Sequence, residues 1–239
     1  AISQPTFSPD GRYLVYTSDQ SGYSNLWCHD LSSGESRSLT SDTYDIAGPA
    51  WIQGMRVFSF SRDGRYLYFI RSEDSQRRAA RLTLTTGAIT EVVQLGEYTH
   101  IEQLTAAPRG NGLACIAAAS AIPSRIVSCT PAQSQIRAHS ATESLSSTDL
   151  STPESITWEA ENSTSVHGLY YPPTNSRFCG RGRPPLIVMI HGGPTSSVET
   201  GFEAKNQYFA SRGWSVLDLN YRGSTGHGRE YMKALHSNW

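Results

Sequence analysis

Pro184-Pro185-Leu186-Ile187-Val188-Met189-Ile190-His191-Gly192-Gly193-Pro194 is the stretch on which the fold of this chain turns. Five consecutive apolar residues, bounded by prolines on one side and glycines on the other, read as a buried central strand that ends abruptly in a loop. A His-Gly-Gly loop after such a strand can offer backbone N–H groups to an oxyanion, because glycine lets the backbone approach a substrate closely. Thirty residues on, Asn220-Tyr221-Arg222-Gly223-Ser224-Thr225-Gly226 follows a second apolar strand. The Gly-x-Ser-x-Gly elbow that carries the nucleophile beside loops of this kind occurs nowhere in the 239 residues. Ser224 comes nearest, with Gly226 two positions after it but Arg222 two positions before it. The expectation is acyl-transfer machinery with its nucleophile Ser, Asp and His beyond residue 239, and therefore no catalytic residue in the chain itself.

Around these motifs, strands alternate with helices. Ser155 to Ala160 and Val166 to Tyr171 form a candidate hairpin about a polar turn at Asn162-Ser163. Phe202 to Arg212 fits a helix stopped by Gly213, Trp214 to Asn220 a strand, and Arg229 to His236 a second helix. That alternation indicates an α/β sheet over residues 153–239.

The first half repeats itself. Phe7-Ser8-Pro9-Asp10-Gly11-Arg12-Tyr13-Leu14 recurs, 53 residues later and without a gap, as Phe60-Ser61-Arg62-Asp63-Gly64-Arg65-Tyr66-Leu67, and a fainter copy starts at Ala107-Pro108-Arg109-Gly110. Each copy places a tight turn before a strand rich in aromatic and β-branched residues. Units of this period cannot bury their apolar faces alone, and set radially they make the blades of a β-propeller. Residues 1–137 are therefore assigned to a partial propeller of about two and a half blades, with a β-sandwich of two similar hairpins as the alternative. Residues 138–152, dominated by Ser, Thr, Glu and Ala, read as a linker.

Composition narrows the classes. A net charge of -1 argues against a general nucleic-acid or membrane-surface binder, both of which need a summed positive field. The longest apolar run, Leu186 to Ile190, is far too short for the roughly 20 residues that span a bilayer. Cys28, Cys115, Cys129 and Cys179 lack zinc-ligand spacing and do not form a disulfide framework, which favours free thiols and a cytoplasmic protein. Arg77, Arg78 and Arg81, and again Arg177, Arg181 and Arg183, read as solvated charge rather than an anion site. Asn162-Ser163-Thr164 matches the glycosylation acceptor, a pattern that often arises by chance.

Taken together, the Ser8-Pro9-Asp10-Gly11-Arg12 repeat, Pro153-Glu154-Ser155-Ile156-Thr157-Trp158, His191-Gly192-Gly193-Pro194 and Asn220 to Tyr231 resemble the prolyl oligopeptidase family of serine peptidases, in its acylaminoacyl-peptidase-like branch. The resemblance covers nearly the whole chain. It implies a partial β-propeller followed by the N-terminal part of an α/β-hydrolase domain. It also implies hydrolysis of short peptides, N-acylated ones among them, with no cofactor and with homo-oligomers of the full-length protein as an open expectation.

The candidate site residues follow from the motifs. His191, Gly192 and Gly193 form the oxyanion loop, where His191 either contributes directly or only orders the loop. Tyr221 and Arg222 either contact substrate or brace the glycine-rich loop. His227 precedes any nucleophile in chain order and is not expected to be the base. Asp218, inside a strand, is expected to be a structural partner. Two other classes stay open: a non-catalytic propeller serving as a binding module, and a carboxylic-ester hydrolase with an accessory β domain.

Overall fold

Ser8-Pro9-Asp10-Gly11 shows why its motif repeats. The Ser8 hydroxyl donates to Asp10 Oδ1 at 2.5 Å and accepts from the Tyr13 N–H at 2.9 Å, while Asp10 Oδ1 also accepts from the Arg12 N–H at 3.1 Å. Ser61 and Asp63 reproduce these three bonds at 2.7, 2.9 and 3.1 Å. Gly11 and Gly64 close the turns at φ of +71° and +68°, a conformation that only glycine adopts without strain. The third copy keeps Gly110 at φ +71° but has Ala107 and Arg109 in place of Ser and Asp. Its turn rests on the backbone bond from Ala107 N–H to the Gly112 carbonyl at 2.8 Å.

The computed structural model describes residues 1–48, 53–143, 145–160, 164–193 and 195–236. Asn162 and Ser163, with the turn and the acceptor match placed on them, lie outside the described residues, as do Pro194 and Trp239.

Each turn joins the first two strands of an antiparallel meander. The first comprises β1 (Ile2–Phe7), β2 (Tyr13–Ser18), β3 (Asn25–Asp30) and β4 (Ser36–Ser38). The second comprises β5 (Phe58–Phe60), β6 (Tyr66–Glu73), β7 (Gln76–Thr83) and β8 (Ile89–Glu91). The third is made of β9 (His100–Ala106), β10 (Leu113–Ala119), β11 (Ile122–Cys129) and β12 (Ser134–His139), joined to the second by the single pair Arg77 and His100. The sequence counted this third unit as half a blade. It has four strands, because its register is kept by apolar alternation after the turn side chains are lost.

First strands of successive units meet. The Gln4 side chain donates to the Phe58 carbonyl and accepts from the Val57 N–H, both at 2.7 Å, and the Ala106 N–H donates to Ser59 Oγ at 3.0 Å. Apolar cores fill the gaps between units: Val15, Leu26, Phe58 and Phe69 between the first and second, Ile70, Leu104 and Val127 between the second and third. This is the radial packing of a β-propeller.

Residues 138–152 are less of a tether than their composition suggests. β12 runs into them, and at their far end Leu150 and Ser151 are buried. Ser151 N–H donates to Gln207 Oε1 and its hydroxyl to the Pro172 carbonyl, each at 2.7 Å.

The second region holds β13 (Glu154–Glu159), β14 (Ser165–Tyr171), β15 (Leu186–Ile190), α1 (Ala204–Ala210), β16 (Ser215–Asn220) and α2 (Gly228–Lys233). Both helices are shorter than the apolar pattern predicted. α1 begins where the Glu203 side chain caps the Lys205 N–H and ends before Gly213 at φ +88°. The sheet order is β13-β14-β16-β15, antiparallel except for the parallel β15–β16 pair. Leu186–Ile190, read as a central strand, has β16 on one side and, among the described residues, no strand on the other, with Leu186 51%, Val188 49% and Ile190 68% exposed. A five-residue apolar run signals burial on both faces but does not say which neighbour supplies it.

Candidate functional site

β15 and β16 run parallel and end side by side, so the loops that follow them, 191–198 and 221–227, lie against each other. Asn220, the last residue of β16, clamps them. Its Oδ1 accepts from the Val198 N–H at 2.8 Å, its Nδ2 donates to the Val198 carbonyl at 3.0 Å, and its own carbonyl accepts from the Tyr231 hydroxyl at 2.7 Å. Thr225 adds a bond from its N–H to the Ser196 carbonyl at 2.9 Å.

His191 sits between these loops. Its ring stacks on Tyr221 with centroids 4.7 Å apart, and the Tyr221 hydroxyl donates to the His191 carbonyl at 3.1 Å. Nδ1 lies 2.9 Å from the Gly192 carbonyl, and Nε2 lies 2.8 Å from the hydroxyl of Ser224, a residue 0% exposed. Gly192 and Gly193 are exposed, and neither N–H has an acceptor among the described residues. Gly193 has φ +147°, and a Cβ there would fall 2.9 Å from the Thr195 nitrogen. Arg222 is half-buried and has no ion-pair partner among the described residues.

Two further histidines stand close by. His167 and His227 stack with centroids 4.0 Å apart and planes 6° from parallel. Burial, then the neighbouring His167, pushes His227 down to about 4, and burial lowers His167 too. Both are neutral near pH 7, and their parallel faces do not converge on a common point. Asp218, on β16, is hydrogen-bonded by Asn206 Nδ2, and burial raises its carboxyl above the usual range.

The propeller face of the site is fixed by groups that sequence reasoning passed over. Asp45 reaches from the segment after β4 to accept from Ser24 N–H at 2.7 Å and from Gly228 N–H, at the start of α2, at 2.9 Å. Gly228 has φ +82° and packs against Tyr23 so closely that a Cβ would lie 2.8 Å from that ring. On the other side of the seam, Glu199 lies 3.6 Å from Arg77 and 3.0 Å from His100, which in turn is 3.5 Å from Glu102. Arg77 is therefore not the solvated charge its run of arginines suggested. Burial disfavours the charged His100 ring, but Glu102 and Glu199 outweigh it and push it up to about 9. Thr200 ties the same seam, its N–H donating to the Ser75 carbonyl at 2.9 Å. The contacts that cross the seam have no local sequence signal, since they join distant residues such as Arg77 and Glu199 or Asp45 and Gly228.

A cavity of about 250 Å³ opens where the seam meets the glycine loop, lined by Asp19, Asp45, Thr195, Thr225, Arg229 and Met232 among others. A larger one, about 660 Å³, lies away from the loop along the first strands of the propeller units, against Gln4, Phe58 and Thr105.

A glycine loop with free N–H groups after a parallel strand, seated under a propeller, has counterparts among known proteins. No family model matches the chain. The chain is 28% identical to a puromycin-hydrolyzing peptidase of Mycobacterium tuberculosis, with a TM-score of 0.90 over 100% of this chain and 36% of that one. Its homologues are serine peptidases of the prolyl oligopeptidase family. Dipeptidyl aminopeptidase BIII of Pseudoxanthomonas mexicana is 42% identical over 55 residues, 23% of this chain and 8% of that protein. The acylamino-acid-releasing enzyme of Homo sapiens is 43% identical over 54 residues, 23% of this chain and 7% of the enzyme. The chain thus spans about a third of the solved relative and matches much smaller shares of the curated ones.

Proposed function

We propose that these residues are the propeller and oxyanion-loop part of a serine peptidase that hydrolyses short peptides and aminoacyl amides by acyl transfer. The observation that carries this reading is the pair of exposed, acceptor-free N–H groups at Gly192 and Gly193, held at the end of β15 by His191, Tyr221 and Asn220. Preorganised donors of this kind stabilise a tetrahedral oxyanion without reorganising during the reaction, and losing one typically costs about 10²–10³ in kcat.

Ser224 is not read as the nucleophile. Its hydroxyl is buried, and the His191 nitrogen remote from it faces a carbonyl rather than the carboxylate that orients the base of a triad. The nucleophile, acid and base are assigned to polypeptide outside these residues, in keeping with the absence of Gly-x-Ser-x-Gly. Arg222, unpaired beside the loop, is assigned to the substrate, and Tyr221 to bracing His191. Three buried free thiols suit a cytoplasmic location.

Fluorophosphonate labelling of the natural polypeptide that carries this sequence tests the reading. Labelling, with turnover of puromycin or an aminoacyl p-nitroanilide, is the expected result. An unlabelled protein without turnover would reject it in favour of a binding module. Faster turnover of p-nitrophenyl esters than of any amide would favour the esterase.

A further inference from the structure

We propose that Ser224 is a positioning residue for the oxyanion loop, acting through the tautomer of His191. The proposal rests on the reading of Gly192 and Gly193 as oxyanion donors.

The argument is one of hydrogen-bond direction. A carbonyl only accepts, so the nitrogen 2.9 Å from the Gly192 oxygen, His191 Nδ1, must carry the proton of that bond. A neutral imidazole has one donor and one acceptor nitrogen, so Nε2 is then the acceptor and the Ser224 hydroxyl donates to it at 2.8 Å. Ser224 is well placed to enforce this. It is fully buried, its N–H is tied to the Tyr221 carbonyl at 2.9 Å, and Gly223 before it packs against Leu235. Among the described residues its O–H has one acceptor within hydrogen-bond distance, His191 Nε2.

The tautomer in turn sets a peptide plane. The Gly192 carbonyl and the Gly193 N–H belong to one trans peptide and point in opposite directions. Holding that carbonyl against the His191 ring therefore turns the Gly193 N–H outward, to the exposed side where no described residue accepts it. The other tautomer would set the Nδ1 lone pair against the Gly192 oxygen, repel the carbonyl and rotate the N–H away from the substrate. Tyr221 stacks on a face of the ring and its hydroxyl holds the His191 carbonyl, so the plane has little other freedom. Ser224 touches neither substrate nor reacting atoms. Its effect is transmitted along Ser224 Oγ, His191 Nε2, His191 Nδ1, Gly192 carbonyl and Gly193 N–H.

The test uses the natural polypeptide, labelled with ¹⁵N-histidine, with His191→Asn to assign the signal. In the parent protein His191 should show the Nδ1–H tautomer pattern. In Ser224→Ala it should become a mixture, with kcat for an aminoacyl p-nitroanilide lowered about tenfold or more and KM within about twofold, a fraction of the loss expected for a missing donor. Ser224→Cys, which keeps a weak donor of similar shape, should fall between the two. A His191 protonated at Nε2 in the parent, or a Ser224→Ala protein with unchanged kcat, overturns the proposal. Gly193→Ala in the same assay separates the two readings. If it keeps full kcat, the oxyanion assignment fails and Ser224 loses its catalytic relevance, whichever tautomer is seen.

Discussion

The hydroxyls of Ser8 and Ser61 each bridge a turn carboxylate and the N–H that opens the next strand. Removing one leaves a strand's first N–H without its partner, and Ser61→Ala should cost about 1 kcal/mol, read as a lower urea midpoint with an unchanged m-value. The third copy already has alanine at this position, so Ala107→Ser together with Arg109→Asp should gain a similar amount if the turn geometry is shared. At the candidate site, Gly193→Ala should lower kcat of the natural polypeptide about 10²-fold. A left-handed φ and a Cβ 2.9 Å from Thr195 both oppose the side chain, so the loop must move. The place of the two glycines, in an exposed loop at the end of an apolar strand, was legible in the sequence. The partner of His191 was not. Ser224 stands 33 positions away, and only the parallel pairing of β15 with β16 brings it within hydrogen-bond distance.

Strand positions were read well wherever period and turn chemistry agreed, as in β2, β6, β14 and β16. They were read less well where the sequence is silent about neighbours. β15 has the composition of a central strand and the place of an edge, and its three outward side chains make a contiguous apolar row. Unpaired edges of this kind recruit other chains. Produced as these 239 residues, the protein should self-associate, and Val188→Lys should reduce its light scattering while leaving far-UV dichroism unchanged. A double helix boundary error has a simpler cause. Phe202 and Arg229 lie on residues with the right periodicity, but Glu203 and His227 take the non-helical cap positions and so fix where α1 and α2 begin. α2 also depends on Asp45, whose two carboxylate oxygens each accept a buried N–H. Asp45→Asn keeps only one acceptor and should destabilise the protein by about 1–3 kcal/mol, with α2 the first site cut in limited proteolysis.

At the scale of the whole molecule, the seam between propeller and sheet holds a cluster of part-buried charged groups, Arg77, His100 and Glu199, and its pH dependence follows from them. His100 is raised from 6.5 to about 9, so its contribution is complete below 6.5 and is lost as pH rises through 9. Glu102 and Glu199 are lowered, Glu199 by Arg77 and His100 against the effect of its own burial, so their contributions fade as pH falls below the ordinary 4.5. His227 works against acid as well, because a ring held down to about 4 loses stability as pH drops from 6.5. Between pH 7 and 9.5 the seam should therefore loosen by on the order of 2 kcal/mol, seen as faster amide exchange around Thr200. In His100→Gln that change should be flat over the same range. No composition or motif pointed to this cluster, since its members come from β7, β9 and the loop after β15.

The bond from Asp45 to Gly228 spans 183 residues. In N-to-C synthesis Asp45 appears 183 residues ahead of Gly228, and the three meanders can settle while it still lacks its second donor. Gly228 is the residue that ends this wait. The glycine loop at 191–193 emerges before it, and the Ser224 that bonds His191 follows that ring by 33 residues. A polypeptide stalled between Gly193 and Ser224 would hold three settled meanders beside a glycine loop whose His191 still lacks its hydroxyl partner.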